Sequence, residues 1–282
     1  MLGLLSAFHA YEELVLAFLV SLPRAYAFIA MSGIMNTAAV PRLARNATIL
    51  VISLPLVPVN MKNLSAIGEG LPAFAAFFAK EYAIGFLLGY MIGWLFWAVG
   101  AAGDFIDNQR GAAIAASIDP LQGHETSPLG NLFSRAFLTY FYSVGGILAV
   151  LGILYKSYVL WPITRMVPIV SEQFPSLVLE VLDLGMRTMF IIAAPVIALM
   201  FLSELALAIV SRFAPQIQVF ILAMPIKSAI AILVLIFYIK ILFPYAADQQ
   251  SLFFDYTDRL LSTLQHGAEI LSGSEPEQEQ TP

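Results

Sequence analysis

Apolar runs of bilayer length constrain this chain more than any other feature of its sequence. A helix needs about 20 consecutive apolar residues to cross a membrane. Six runs approach or exceed that length, at residues 14–31, 47–61, 72–103, 132–155, 185–210 and 217–243. They do not alternate between polar and apolar residues, as the strands of a membrane β-barrel do. The sequence therefore predicts an all-α, polytopic membrane protein with about six long apolar helical segments.

Composition excludes several other classes of protein. Hydrophobic residues make up 60% of the chain and charged residues only 12%, whereas a soluble domain carries about 25% charged residues. There is no basic patch, so we expect no nucleic-acid partner. His9, His124 and His266 are isolated and cysteine is absent, so neither a metal site nor another cofactor is predicted. Phosphate-binding and nucleophile motifs are also absent, and we expect no enzymatic activity.

Two of the apolar runs do not fit a simple membrane span. The run at 47–61 contains Pro55 and Pro58, which predict a broken helix. The run at 72–103 would extend about 48 Å as one helix, so it should tilt or protrude from a core of about 30 Å. It also carries three glycines spaced by four residues, a pattern typical of closely packed helices. These are Gly85, Gly89 and Gly93, and their partner helix lies either in this chain or in another.

Three charged residues lie within apolar runs, namely Arg24, Glu204 and Lys227. An unpaired charge at the bilayer centre costs about 2.5 to 3.5 kcal/mol, so each should be buried against protein or face water. Glu204 and Lys227 flank a short turn at comparable depth, which makes them candidate partners. The alternative is that each faces a separate polar group in another subunit.

A hydrophilic stretch at 104–130 separates the third and fourth runs. Asp104, Asp107 and Arg110 come first, a run of small residues follows, and Asp119 and Pro120 end it, because a proline disfavours helical geometry in the residue before it. The small residues are Gly111, Ala112, Ala113, Ile114, Ala115, Ala116 and Ser117. Two readings remain open: an ordinary solvent loop, or a segment that lines or blocks a polar passage.

Three blocks of residues resemble the FliR/SpaR/SctT family of type III secretion export-apparatus proteins. The first is Leu22-Pro23-Arg24. The second runs from Asp107, Asn108, Gln109, Arg110 and Gly111 through Asp119 and Pro120 to Thr126-Ser127-Pro128-Leu129-Gly130. The third begins with Arg212, Pro215, Gln216 and Phe220 and continues with Met224-Pro225-Ile226-Lys227. The blocks occur in family order and span most of the chain.

The resemblance implies a non-enzymatic core subunit of an export gate in the bacterial inner membrane. Its implied partners are SctR/FliP-like and SctS/FliQ-like subunits, an SctU/FlhB-like switch protein, inner rod proteins, membrane lipid, and unfolded secreted proteins in transit. It also implies helices bent into hairpins within a helical hetero-oligomer, which protrudes to the periplasmic side. The stretch from Arg110 to Pro128 corresponds to the plug of the family's pore, and Arg110 favours an injectisome over a flagellum. The alternative function is a secondary transporter of small solutes.

The predicted organisation is one membrane-embedded domain at 1–264 and an acidic tail at 265–282. Residues 14–27 look like a signal-peptide core with a cleavage site, but Glu12 and Glu13 stand where a signal peptide requires basic residues. We therefore expect the first run to remain in the mature protein. The tail is polar and rich in Glu, Gln and Pro, which predicts disorder.

Overall fold

A computed structural model describes residues 2–35, 40–61, 64, 71–111, 127–163, 173–214, 216 and 219–272. Within these ranges the chain is helical and contains no strand, which confirms the all-α prediction. The helices are α1 (Leu2–Met31), α2 (Arg42–Ser53), α3 (Val57–Met61), α4 (Leu71–Arg110), α5 (Pro128–Ser143), α6 (Gly146–Leu160), α7 (Gln173–Phe213) and α8 (Val219–Ser272).

The number of membrane-spanning helices agrees with the prediction. Among the described residues, five helical stretches are long and apolar enough to cross a membrane, and a sixth is obtained if α5 and α6 count as one broken span. The run at 132–155 is divided between α5 and α6, in agreement with the expectation that some segments are broken or bent. The chain bends by 79° between α5 and α6, where Gly145 has a φ of +78°, a conformation that glycine adopts without steric cost.

The predicted break in the second run is confirmed. Between α2 and α3, residues Leu54–Leu56 form a single 3₁₀ turn with Pro55 near its start. Proline has no N–H to donate to the preceding helical turn. The α-helical hydrogen-bond ladder is therefore interrupted there, although α2 and α3 together remain long enough to span a membrane.

Several helices extend beyond their apolar runs. Helix α4 has 40 residues and a length of about 60 Å, and it continues through the polar residues after 103. Helix α8 continues to Ser272, so residues 265–272 are helical rather than disordered, and 273–282 lie outside the described residues. Phe253, Thr257 and Leu261 are buried at a spacing of four. This stripe explains why the polar end of α8 is helical, because tertiary packing stabilises an amphipathic helix.

The chain divides into two compact units, each assembled from separate stretches. The first comprises 1–94, 146–181 and 253–282, and the second comprises 95–145 and 182–252. In the first, Phe28, Leu88 and Leu154 are fully buried. In the second, an aromatic cluster forms around Phe137 and Phe141, and the ring centroid of Phe141 lies 4.9 Å from that of Phe96.

Candidate functional site

The guanidinium of Arg24 is at the centre of a buried polar cluster in the first unit. Its Nε and Nη2 atoms donate to the two carboxylate oxygens of Glu81, at 2.8 and 3.0 Å. Its Nη1 atom donates to the carbonyl and hydroxyl oxygens of Ser157, and Nη2 also donates to the carbonyl of Trp161 at 3.0 Å. All five N–H donors that an arginine offers are therefore used. The Arg24 and Glu81 side chains are both 0% exposed, so Arg24 is surrounded by protein.

A second cation, Lys80, belongs to the same cluster. Its Nζ atom lies 2.9 Å from a Glu81 oxygen and donates to the carbonyl of Ile163 at 2.9 Å. One carboxylate thus faces two cations, Arg24 and Lys80. Neither Lys80 nor Glu81 was singled out from the sequence. The available signal was the presence of two charged residues inside the long third apolar run.

The three glycines of α4 pack against α1 of the same chain. A Cβ atom at any of these positions would overlap a backbone carbonyl oxygen of α1, at 2.6 Å in the case of Gly89 and Phe28. The glycines are Gly85, Gly89 and Gly93, and the carbonyls opposite them belong to Arg24, Phe28 and Met31, respectively. Both series rise together along the chain, so α1 and α4 run parallel. The partner that the sequence left undecided is therefore α1.

The two described ends of the hydrophilic stretch meet at Asp107. Its Oδ2 atom accepts hydrogen bonds from the hydroxyl of Ser127 at 2.7 Å and from the backbone N–H of Leu129 at 2.8 Å. Ser127 is also the N-cap of α5, since its hydroxyl accepts from the backbone N–H of Gly130. Asp107 is 1% exposed. A carboxylate at this position satisfies orphan helix donors and interacts favourably with the helix dipole.

Arg110 completes this arrangement, which we call the loop neck (Asp107, Arg110, Ser127 and Leu129). The Arg110 Nε atom lies 2.7 Å from Asp107 Oδ1. Neither atom has a hydrogen-bond partner of acceptable geometry, so the contact is electrostatic and the N–H does not point at the oxygen. Gly111 then ends α4 with a φ of +93°, and its N–H donates to the carbonyl of Asn108. A positive φ is typical of a glycine that terminates a helix.

The remaining residues of the predicted plug are outside the part of the chain that the structure describes. They are Ala112, Ala113, Ile114, Ala115, Ala116, Ser117, Asp119 and Pro120. Their role stays a prediction. Sequence reasoning placed Asp107 and Arg110 at the end of the third segment but did not find that Asp107 caps α5. The Ser127-Pro128 pair was the available signal, since serine at the N-cap and proline at the first position mark a helix start.

The third motif block lies at the junction of α7 and α8. Arg212 and Gln216 are exposed, Pro225 is exposed within α8, and Pro215 lies outside the described residues. Phe220 is helical, and in the second block Asn108 is exposed and Gln109 half-buried. The second and third blocks come together at one point. A Cβ atom on Gly111 would lie 3.5 Å from the Cγ atom of Met224.

Glu204 and Lys227 form an ion pair. Lys227 Nζ donates to Glu204 Oε1 at 2.9 Å, so the two candidate partners are brought together. Their side chains are 12% exposed for Lys227 and 47% exposed for Glu204. Lys227 is thus largely covered by protein, whereas Glu204 keeps about half of its side chain exposed.

Comparison with known proteins shows the family of this chain. Residues 15–252 match the model of the family described as bacterial export proteins, family 1. The chain belongs to this family. The Yop proteins translocation protein T of Yersinia pestis is 37% identical over 223 residues, which is 79% of this chain and 85% of the relative. The surface presentation of antigens protein SpaR of Salmonella typhimurium is 32% identical over 74% of this chain and 78% of its own length.

A flagellar member of the export family is also similar, over a shorter stretch. The flagellar biosynthetic protein FliR of Bacillus subtilis is 32% identical over 188 residues, 65% of this chain and 71% of its own. The resemblance read from the three motif blocks is thus confirmed. The comparisons give no support to a secondary transporter of small solutes.

Proposed function

We propose that this chain is a core subunit of the export gate of a type III secretion system. In this role it forms part of the channel through which unfolded proteins cross the bacterial inner membrane. The observation that carries the proposal is the family match over residues 15–252. Identity of 37% over 79% of the chain to the Yersinia translocation protein, compared with 32% over 65% and 25% over 86% for two flagellar relatives, favours an injectisome.

The chain acts in this proposal without catalysis and together with other secretion subunits. We propose SctR/FliP-like and SctS/FliQ-like subunits as its neighbours, with an SctU/FlhB-like switch protein and inner rod proteins beyond them. Five to six membrane-spanning helices support a multi-pass inner-membrane location, and protrusion to the periplasmic side is part of the proposal. Helices α7 and α8 support an assembly, because only 22% and 17% of their most apolar windows are buried in the chain.

The loop that begins at Gly111 is proposed to be the gate of this channel. Gly, Ala and Ser fill a narrow passage without long side chains and leave little apolar surface to hold the loop permanently in place. The loop neck supports the idea, because Asp107 holds the residues before and after the loop together through Ser127 and Leu129. The loop can then leave and return while α4 and α5 keep their positions.

A genetic experiment tests the proposed subunit role. Deletion of the gene should abolish secretion, plasmid-borne wild type should restore it, and affinity-tagged chain should retain several other small membrane proteins during purification. The chain expressed without them should aggregate or be degraded. Uptake of a small solute by vesicles that contain only this chain, together with normal secretion in the deletion strain, would support the transporter instead.

The gate has a test of its own within the assembled apparatus. Removal of residues 111–117 should leave assembly intact and make the membrane permeable to small ions, as measured by a membrane-potential dye. Arg110→Ala should give a milder leak or a secretion defect, and Arg135→Ala, which changes an exposed arginine of α5, should behave as wild type. A tight membrane and normal secretion after the deletion would show that the loop is only a connector.

A further inference from the structure

An open apolar groove of about 450 Å³ lies among α1, α2 and α4 in the first unit. Its volume is within the range of known ligand sites. The apolar side chains around it are Leu22, Tyr26, Ile49, Leu50 and Phe78, and Asn46 is its polar contributor. Tyr26, Leu50 and Phe78 are 42%, 44% and 36% exposed. The groove is therefore accessible from outside, and it shares no residue with the loop neck.

Two arginines precede the groove-lining residues of α2. Arg42 and Arg45 lie in the first turn of α2, one turn before Asn46 and Ile49, respectively, so the side chains follow one another along the helix. The Nε atom of Arg45 is buried and has no hydrogen-bond partner in the described part of the chain. A buried donor without an acceptor is unfavourable. The charges of the exposed Arg42 and the half-buried Arg45 favour an anionic group at this end of α2.

The arginines and the groove follow one another as the headgroup and the acyl chains do in a lipid molecule. Arg42 begins a candidate membrane span, so the arginines stand where a bilayer has its phosphates. Leu50 follows eight residues later, about 12 Å along the helix axis, where a bilayer has its acyl chains. A cationic end and an apolar body complement an anionic phospholipid more closely than they complement an apolar helix of another protein.

We propose that this groove binds one anionic phospholipid of the surrounding bilayer. Arg42 and Arg45 hold the phosphate, and the amide of Asn46 donates to an ester carbonyl. One acyl chain lies against Ile49, Leu50 and the side chains opposite them. The site does not depend on the export function proposed above.

Native mass spectrometry of the full-length chain in its detergent-solubilised complex tests the proposal. Added phosphatidylglycerol should remain bound, and phosphatidylcholine should bind much more weakly to the same unaltered protein. The double variant R42A/R45A should bind phosphatidylglycerol about thirtyfold more weakly, equivalent to about 1 kcal/mol for each arginine. R135A removes an exposed arginine of α5 and should bind like wild type. Equal binding of the two lipids, or equal loss in R135A, would overturn the proposal.

A photoreactive side chain at Leu50 identifies the occupant directly. In membranes it should form adducts with lipid, and Leu50→Trp should fill the groove and reduce phosphatidylglycerol binding while both arginines remain. Adducts with another polypeptide and none with lipid would show that a protein covers the groove instead.

Discussion

The same chemical pair, a carboxylate and a cation in apolar helices, occurs in two very different settings. Arg24 and Glu81 are 0% exposed, and every donor of the arginine has an acceptor within the chain. Glu204, in contrast, is 47% exposed although its partner Lys227 is only 12% exposed. The surrounding helices differ in the same direction. In the most apolar 18-residue stretch of each helix, 50% of residues are buried in α1 and 56% in α4, compared with 22% in α7 and 17% in α8.

This difference shows which buried charges and helices the chain covers by itself and which ones it leaves exposed. An isolated charge within the bilayer is unfavourable, and the Arg24 cluster removes that cost internally. Glu204 has one partner and remaining exposed surface within an apolar helix. We therefore expect α1 and α4 to determine the stability of the chain, and α7 and α8 to depend on a neighbouring subunit.

The largest effect is expected at Glu81. Glu81→Gln leaves two buried cations, Arg24 and Lys80, without an anion, and removal of one partner from a buried pair typically costs about 3 to 5 kcal/mol. Arg24→Met should cost less, because Lys80 and Glu81 still neutralise each other, and Lys80→Met should cost least. Thermal unfolding of the detergent-solubilised complex gives the order. Equal effects of all three substitutions would mean that Glu81 does not serve both cations.

The packing of α1 against α4 is expected to give the second-largest effect. Gly89→Ala places a Cβ atom 2.6 Å from the carbonyl oxygen of Phe28, and overpacking of this kind typically costs about 1 to 3 kcal/mol. The melting temperature of the complex should fall. Gly152→Ala in α6 is the matched control, because its Cβ would meet nothing within 4 Å. A Gly89→Ala variant as stable as wild type would contradict the close approach of α1 and α4.

The effect expected at the loop neck is intermediate in size, since a single carboxylate connects α4 and α5. Asp107→Asn removes the charge at the N-terminus of α5, and loss of such an interaction typically costs about 1 to 2 kcal/mol. The backbone amides of Leu129 and Gly130 should exchange with solvent faster, as measured by hydrogen-exchange mass spectrometry. Asp248→Asn changes an exposed carboxylate of α8 and should leave that exchange unaltered. Unchanged exchange in Asp107→Asn would show that Asp107 does not stabilise the start of α5.

The smallest effect is expected at the ion pair of Glu204 and Lys227. A double-mutant cycle of Glu204→Gln and Lys227→Met in the detergent-solubilised complex should give a coupling free energy of less than about 1 kcal/mol, because exposed pairs contribute little. A larger coupling would mean that a neighbouring subunit covers Glu204. Strictly additive effects would mean that the pair does not form.

The sequence was informative wherever one local property determines the structure. Bilayer length located the apolar spans, Pro55 marked the break in the second run, and glycines at a spacing of four identified a close helix contact. Hydropathy was less informative about helix ends, since it reports where lipid ends and not where hydrogen bonding ends. Helix α4 therefore continues past residue 103 to Arg110, where Asp107 finds donors in α5.

Contacts between distant segments could not be read from the sequence. Arg24 and Glu81 are 57 residues apart in the chain, and Lys80 beside Glu81 offers the carboxylate an obvious local partner. The remaining acceptors of Arg24 are backbone carbonyls of Ser157 and Trp161, and a backbone carbonyl leaves no signature in residue type. Burial of Phe253, Thr257 and Leu261, which keeps the end of α8 helical, likewise depends on tertiary packing.

The Arg24 cluster has a consequence for the register of α1 and α4. Glycines repeated every four residues permit the two helices to pack equally well after a slide of one turn, because each glycine would simply meet the next carbonyl. In lipid there is no hydrophobic force to choose between these positions. A slide of four residues would carry Arg24 about 6 Å away from Glu81 and leave the buried guanidinium without its anion. The glycines thus allow contact at several registers, and the ion pair selects one of them.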